Sequence, residues 1–591
     1  MQKILNVFIA FLGVATAGPS RGRCRCLPDD GCWPGPDQWQ ALNSSLDGDL
    51  VAVKPVNSVC HDPTFDEQAC EAVLAKRSNS LWRSEEPGAV QYDPWCSWPS
   101  MEESCYSDSP REEPCGQGRI SLYSVLAESV QDIQNTVTFA YERSLRLVIK
   151  NSGHDFLGRS SAPDSLQLST HKLDDIEFID DFIPEGCDKE SEGPAVTICA
   201  GVQLKKLYEA VAAQGLTVVA GYARTVGAAG GYIQGGGHSP MGPWKGMAAD
   251  NALEFKVVTA EGGHVTANEY INSDLFWALR GGGGGTFGVV TSVTLRTHPE
   301  DPVIVATLDV GFPTEHDPDS FWEAVATFHE HLPSLNDAGG SGYYFITQAA
   351  ATQEPDHTPS LSAPFFYTNQ TGAESVKNLY EPLLNSLEKI DNATVKLETS
   401  QAPSIVHVLL ADLDGEADST GVAFVLGSRM FSRNFFADPD INGPARLSET
   451  MRSFSTKWGG QFQGHVVAGG QVAANRDIDS AVNPAWRDAL SHLIFGRQWA
   501  TDGSVSFEEQ EAIMANVTEV EVPLFKALDP GSGAYMNEAD PNEADFQTSF
   551  WGKENYERLY RIKQEWDPSG LFISRKGVGS EDWDDTGLCR L

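Results

Sequence analysis

Three stretches of this chain set residues capable of chemistry beside backbone capable of holding a ligand. The first, residues 145–161, reads LRLVIKNSGHDFLGRSS. Leu145, Leu147 and Ile149 alternate with Arg146, Val148 and Lys150, which predicts a short, partly buried strand. It runs out into Asn151-Ser152-Gly153-His154-Asp155, where small and turn-forming residues leave backbone N–H groups free to face a phosphate. A histidine at such a corner reaches whatever cofactor the backbone holds, so His154 is the leading candidate for direct attachment. The second stretch, 220–241, reads AGYARTVGAAGGYIQGGGHSPM. Gly221, Gly227, Gly230, Gly231, Gly235, Gly236 and Gly237 strip side chains from a whole loop, which lets a diphosphate approach backbone donors that any Cβ would block. A featureless linker would be polar, whereas this loop is interleaved with Val226, Tyr232, Ile233 and Met241. The third, 275–296, carries glycines 281–285 after an amphipathic turn, then Gly288 and an alternating strand from Val289. A GxGxxG fingerprint between a strand and a helix is absent, so an ordinary Rossmann nucleotide site is not expected. Together the three loops can frame one long cleft for an extended cofactor.

The elements that must position these loops alternate along the chain. Residues 129–143 place Val130, Ile133, Val137 and Ala140 on one helical face directly before the first strand. Residues 165–179 read as a second strand and turn, 195–200 as a further strand, and 203–214 as a helix with Leu204, Leu207, Tyr208 and Val211 on one side. An α+β layered domain follows from that alternation. From about residue 302 to 523, segments 343–346 and 422–426 read as strands of a second sheet, with helices at 321–331 and 485–495 covering it. A last helix around 556–565 stops at Asp567-Pro568.

Composition narrows the setting. The chain has 591 residues, enough for more than one domain, and a formal net charge of -40 that excludes a nucleic-acid partner needing a basic surface. Lys3, the apolar run 4–14 and Ala15-Thr16-Ala17 have the shape of a secretory signal peptide cleaved after Ala17, and no other stretch is long and apolar enough to span a bilayer. Eight of the 11 cysteines, from Cys24 to Cys115, crowd the first fifth of the chain, and Asn43, Asn369, Asn392 and Asn516 are N-glycosylation acceptors. Disulfides and secretion are therefore expected. Pairing stays open, with Cys187, Cys199 and Cys589 available for further bridges. Zinc on Cys24, Cys26 and Cys32 is the rival, and no histidine pair or second CxxC completes it.

These motifs resemble the berberine-bridge-enzyme-like branch of the vanillyl-alcohol oxidase superfamily, especially fungal secreted isoamyl alcohol oxidase-like enzymes. The resemblance is carried by residues 150–155, by Thr225-Val226-Gly227 with glycines 235–237, by 274–282 (DLFWALRGG), by Tyr535-Met536-Asn537-Glu538, by 551–568, and by the cysteines 24–32. It implies an α+β fold: a two-subdomain PCMH-type FAD-binding domain at 116–300 and an α+β substrate domain with an antiparallel sheet at 301–525. It also implies a signal peptide at 1–17, a disulfide-rich segment at 18–115, and a C-terminal segment at 526–591 packing back on the FAD domain. FAD is then bonded through His154 and held by Asn151, Ser152, Gly153, Asp155, Gly158, Arg159 and Ser160, by the second loop from Gly221 to Gly237 with Thr225, Val226, Gly227, Gly230 and Gly231, by Gly285, Gly288 and Val289, and by Asn537. Part of the branch adds a cysteinyl bond; here Ala223 stands at that position, so a single attachment is expected.

For catalysis, the resemblance points to Glu538 as a base whose pKa an apolar pocket lifts toward neutrality, with Tyr535 in the pocket wall and His238 beside the cofactor. His465 and Tyr344 are weaker candidates. The implied reaction oxidises an alcohol by hydride transfer to FAD, with O2 reduced to hydrogen peroxide, in a monomer that binds neither nucleic acid nor membrane and carries no metal. A carbohydrate oxidase or dehydrogenase, or a flavin-free binding protein, is the alternative.

Overall fold

The computed structural model describes residues 24–188, 191–313, 318–348, 358–368, 370, 372–413, 418 and 420–591. The expected signal peptide and the acceptor Asn369 lie outside them.

The helix before the first glycine turn forms as its periodicity predicts. Val130–Glu142 starts at Ser129, whose hydroxyl accepts the Asp132 N–H, and it buries Ile133, Val137 and Ala140. It packs on a four-stranded sheet in which Tyr123–Leu126, Ser165–Ser169 and Arg146–Lys150 run parallel, with Asp49–Ala52 as an antiparallel edge. Beyond Ser169 the chain turns and enters a different sheet. Ile176–Ile179 begins five antiparallel strands, followed across the sheet by Ala195–Cys199, Val289–Arg296, Ala252–Val258 and His264–Ala267. The helix Leu204–Ala212 buries Leu204, Leu207, Tyr208 and Val211 against this second sheet's core.

The second large unit is a fully antiparallel seven-stranded sheet. Its order is Thr394–Ala402, Val303–Gly311, Ser360–Tyr367, Ser341–Thr347, Gln461–Val466, Ala489–Trp499 and Ala423–Ser432. Helices Pro318–Asp337, Ala373–Leu387 and Gly443–Ser453 cover one face with an aromatic core that includes Phe328, Tyr380, Phe431 and Phe462. The expected helix at 485–495 is absent; a 3-10 turn at Pro484–Arg487 leads into the strand Ala489–Trp499. Residues 489–495 are buried on both faces, so no alternation survives in the sequence, and a short apolar run of that kind reads equally as helix.

The C-terminal segment returns to the glycine loops. Trp551 donates its indole N–H to the Gly281 carbonyl at 2.9 Å. Buried Lys563, on the helix Lys553–Trp566, donates to the carbonyls of Thr286 and Phe572 at 2.6 and 2.7 Å and to Asp567 at 2.6 Å. Four disulfides pair Cys24 with Cys589, Cys26 with Cys32, Cys60 with Cys70, and Cys105 with Cys115. All the sulfurs of the zinc alternative are thereby tied up, while Cys199 keeps its thiol. No helix among the described residues is long and apolar enough to cross a membrane.

Candidate active site

The three glycine loops and the open face of the seven-stranded sheet enclose a cleft of about 520 Å³. Its floor starts at the turn after Arg146–Lys150, where Gly153 takes φ 78°, a left-handed conformation that suits glycine. Lys150 fixes that turn from below by donating to the carbonyls of Arg83, Glu86 and Ala89 at 2.9, 2.6 and 3.0 Å. Asp155 closes it from the other side. Its carboxylate accepts the backbone N–H groups of Leu157 at 3.1 Å, Ser160 at 2.9 Å, and Arg159.

Asn151, Ser152, Gly153, His154, Asp155, Arg159 and Ser160 line the cleft from this loop. Gly221, Val226, Gly227, Gly230 and Gly231 line it from the second, with Gly285 and Gly288 from the third. The loops meet closely because they lack side chains. A Cβ on Gly227 would lie 1.7 Å from Asn151 Oδ1, and one on Gly235 would lie 2.4 Å from Asn537 Nδ2. Asn537 uses that space to donate to the Gly231 carbonyl at 3.0 Å and the Tyr535 hydroxyl at 2.8 Å. Gly158, Thr225, Gly235, Gly236, Gly237 and Val289 stand outside the cleft wall. Gly158 packs on the Trp95 ring, Val289 lies in the core beneath the first sheet, and the glycines 235–237 support the wall from behind.

At the His154 end, Nε2 lies 2.6 Å from the Thr225 hydroxyl and 3.5 Å from Asp418 Oδ2. Burial raises the Asp418 carboxyl, but hydrogen bonding and charge from His154, with the Thr225 hydroxyl and N–H, outweigh it and hold the group down at about 2. Ala223 also faces the cleft.

Opposite this end stands a cluster of one carboxylate and three imidazoles. Glu538 accepts from His238 Nε2 at 3.1 and 3.2 Å and from His492 Nε2 at 3.1 Å, while His465 Nδ1 lies 3.7 Å away. The pocket is therefore not apolar around Glu538, and its pKa moves opposite to expectation. Burial raises it, but the charge and hydrogen bond of His238, with the hydrogen bond of His492, hold it well below the usual carboxylate range. Burial lowers His465 and His492 despite the nearby anion, which leaves both rings neutral near pH 7. Both nitrogens of His465, Nδ1 of His238 and of His492, and the Tyr343 hydroxyl are buried without a partner among the described residues. Such groups want a polar ligand atom.

Tyr344 is elsewhere. Successive side chains of Ser341–Thr347 point to opposite faces, so Tyr343 reaches the cleft while Tyr344 bonds His329 and Ser491 in the helical layer. Asp418, His492 and Tyr343 escaped sequence reasoning. A histidine in a buried apolar run and an aspartate in a loop carry no local signal; only the sheet register brings His492 opposite His465.

Two comparisons of sequence identify this architecture. Residues 122–268 match the FAD binding domain family, and residues 534–579 match the berberine and berberine-like family. An FAD-linked oxidoreductase of Arthroderma benhamiae is 52% identical over 99% of this chain and 99% of its own length. The chain belongs to the berberine-bridge-enzyme-like FAD-linked oxidoreductases. A second relative of this FAD-dependent enzyme, the FAD-linked oxidoreductase notD of an Aspergillus species, is 42% identical over 96% of this chain and 90% of its own. The crystal structure of the VAO-type flavoprotein MtVAO615 from Myceliophthora thermophila covers 96% of this chain and 100% of its own, at 33% identity and a TM-score of 0.84.

The residues present fit FAD. A Cβ on Gly231 would meet nothing within 4 Å, which leaves open space above that backbone. Asn151 Oδ1 and Arg159 Nη2 are buried without partners among the described residues. Glycine backbone and two orphaned polar atoms on one wall suit a long cofactor with polar edges.

Proposed function

We propose that this oxidoreductase is a secreted oxidase of an alcohol, either a small alcohol or a secondary-metabolite intermediate, with FAD bonded through His154 alone. The observation that carries the reaction is the Glu538–histidine cluster in the wall of the FAD cleft. When bound, the flavin supplies the acceptor for a hydride from the substrate carbon and passes the electrons to O2 as hydrogen peroxide. The chain's own part is to bind the hydroxyl and take its proton. Glu538, held anionic, is a weak base; its role is to orient the histidines and stabilise a positive ring, as a carboxylate does behind a catalytic histidine. His238 is the cleft-facing ring hydrogen-bonded to that anion and is the proposed proton acceptor. His465 and Tyr343, with unpartnered polar atoms, hold the substrate oxygen.

Attachment through His154 is supported by its place in the cleft wall, and single attachment by the Ala223 methyl, which offers no nucleophile. Secretion is supported by the four disulfides and by the apolar run at the N-terminus. The test is an absorbance spectrum before and after acid precipitation, with a peroxide-coupled alcohol screen. We expect yellow colour to stay with the pellet and to leave it in His154→Ala. Flavin released to the supernatant by the wild-type protein would refute the covalent link, and a screen with no peroxide from any alcohol would count against the reaction.

A further inference from the structure

We infer that Asp418 is the positioning residue for the bond between His154 and FAD: it sets the proton on Nε2, presents Nδ1 to the cofactor and balances the charge the ring acquires. The inference rests on the reading that His154 carries the flavin covalently.

The hydrogen bonds around Thr225 dictate the tautomer. The Asp418 carboxylate accepts the backbone N–H groups of Arg224 and Thr225 at 3.1 and 3.2 Å and lies 2.7 Å from the Thr225 hydroxyl. A carboxylate only accepts, so the Thr225 O–H points at Asp418. That proton is then committed, and the same oxygen, 2.6 Å from His154 Nε2, can only receive the ring N–H. The proton sits on Nε2, and Nδ1 keeps its lone pair. Nδ1 makes no hydrogen bond among the described residues, and the ring lines the cleft. Asp418 Oδ2 also approaches Nε2 itself at 3.5 Å, so a fixed anion stands behind the ring.

This arrangement suits a nucleophile that becomes a cation. In the attachment step, the methyl group at the flavin 8α position loses one C–H proton to water, and Nδ1 forms the new C–N bond. The electron pair of the broken C–H bond would remain on the flavin ring system, and O2, with two protons from water, would remove it to give hydrogen peroxide and the oxidised, bonded flavin. The imidazole, now substituted on Nδ1 and protonated on Nε2, is positively charged beside Asp418. Its carboxylate enters from the polypeptide between the helix Ile405–Leu413 and the strand Ala423–Ser432, so the substrate unit completes an attachment site begun by the FAD domain.

The test compares the full-length wild type with Asp418→Asn, Asp418→Glu and Thr225→Val, reading flavin bound before acid and flavin left in the acid pellet. Asparagine removes the charge and keeps one of the two acceptor oxygens, so it can still receive either the Arg224 N–H or the Thr225 N–H. We expect Asp418→Asn to bind FAD yet attach it about 10- to 100-fold more slowly, by analogy with the loss of outer-shell partners of metal-ligating histidines. Asp418→Glu should restore attachment toward the wild-type rate. Equal covalent fractions in Asp418→Asn and wild type would overturn the inference. If Asp418→Asn bound no FAD, Thr225→Val decides, because it cuts the link to the ring while keeping the charge: unchanged attachment there overturns the inference, and slowed attachment supports it. Wild-type protein without covalent flavin would instead defeat the underlying reading of His154, a separately visible result.

Discussion

Glu538 shows that surroundings, rather than residue type, decide what a carboxylate can do. In an apolar pocket it would be a base titrating near neutrality; beside His238, His465 and His492 it is held as an anion that orients the rings and stabilises positive charge on them. The two arrangements differ in their pH dependence. Activity that needs neutral histidines is lost as pH falls and the rings protonate, and the Glu538 charge raises the pKa of His465 and of His492. Glu538→Gln removes that charge, so the acidic limb of the kcat/KM profile should move to lower pH, while kcat/KM itself falls about 100-fold. A profile that loses its acidic limb altogether along with its amplitude would return the base to Glu538.

At the scale of elements, small facts of register and support determine which side chains meet. The strand Ser341–Thr347 sends Tyr343 to the cleft and Tyr344 to the helical core, although the two are adjacent in sequence. The turn that carries His154 rests on Lys150, whose ammonium satisfies three carbonyls of the N-terminal layer. Lys150→Met would leave those carbonyls buried without a donor. We expect a loss of about 3 kcal/mol in stability, seen as a lower thermal midpoint, together with weaker flavin retention. A variant with wild-type stability would show that the layer and the turn are not coupled through this ammonium. Some elements were legible early: the helices Val130–Glu142 and Leu204–Ala212 bury the faces their spacing predicts. The strand Ala489–Trp499 was not, because burial on both faces erased its alternation.

For the whole molecule, the Cys24–Cys589 disulfide links positions 565 residues apart and joins the cysteine-rich start to the segment that clamps the third glycine loop. Replacing both with serine should cost about 2–5 kcal/mol and shorten the half-life at elevated temperature, while the flavin spectrum of folded protein stays intact. An unchanged half-life would mean that burial of Arg25, Lys563 and Trp551 alone holds the ends together. By itself the sequence determined the glycine loops, the histidine at the head of the first, the Tyr-x-Asn-Glu segment and the absence of a second nucleophile at Ala223. These are local: each is a residue type at a spacing, and glycine announces backbone approach wherever it clusters. The tertiary structure alone decided that Asp418 stands behind His154, that His492 and His465 flank Glu538, and which cysteines pair. Those relations join residues up to 565 positions apart. No periodicity or composition records such distances; packing and sheet register create them.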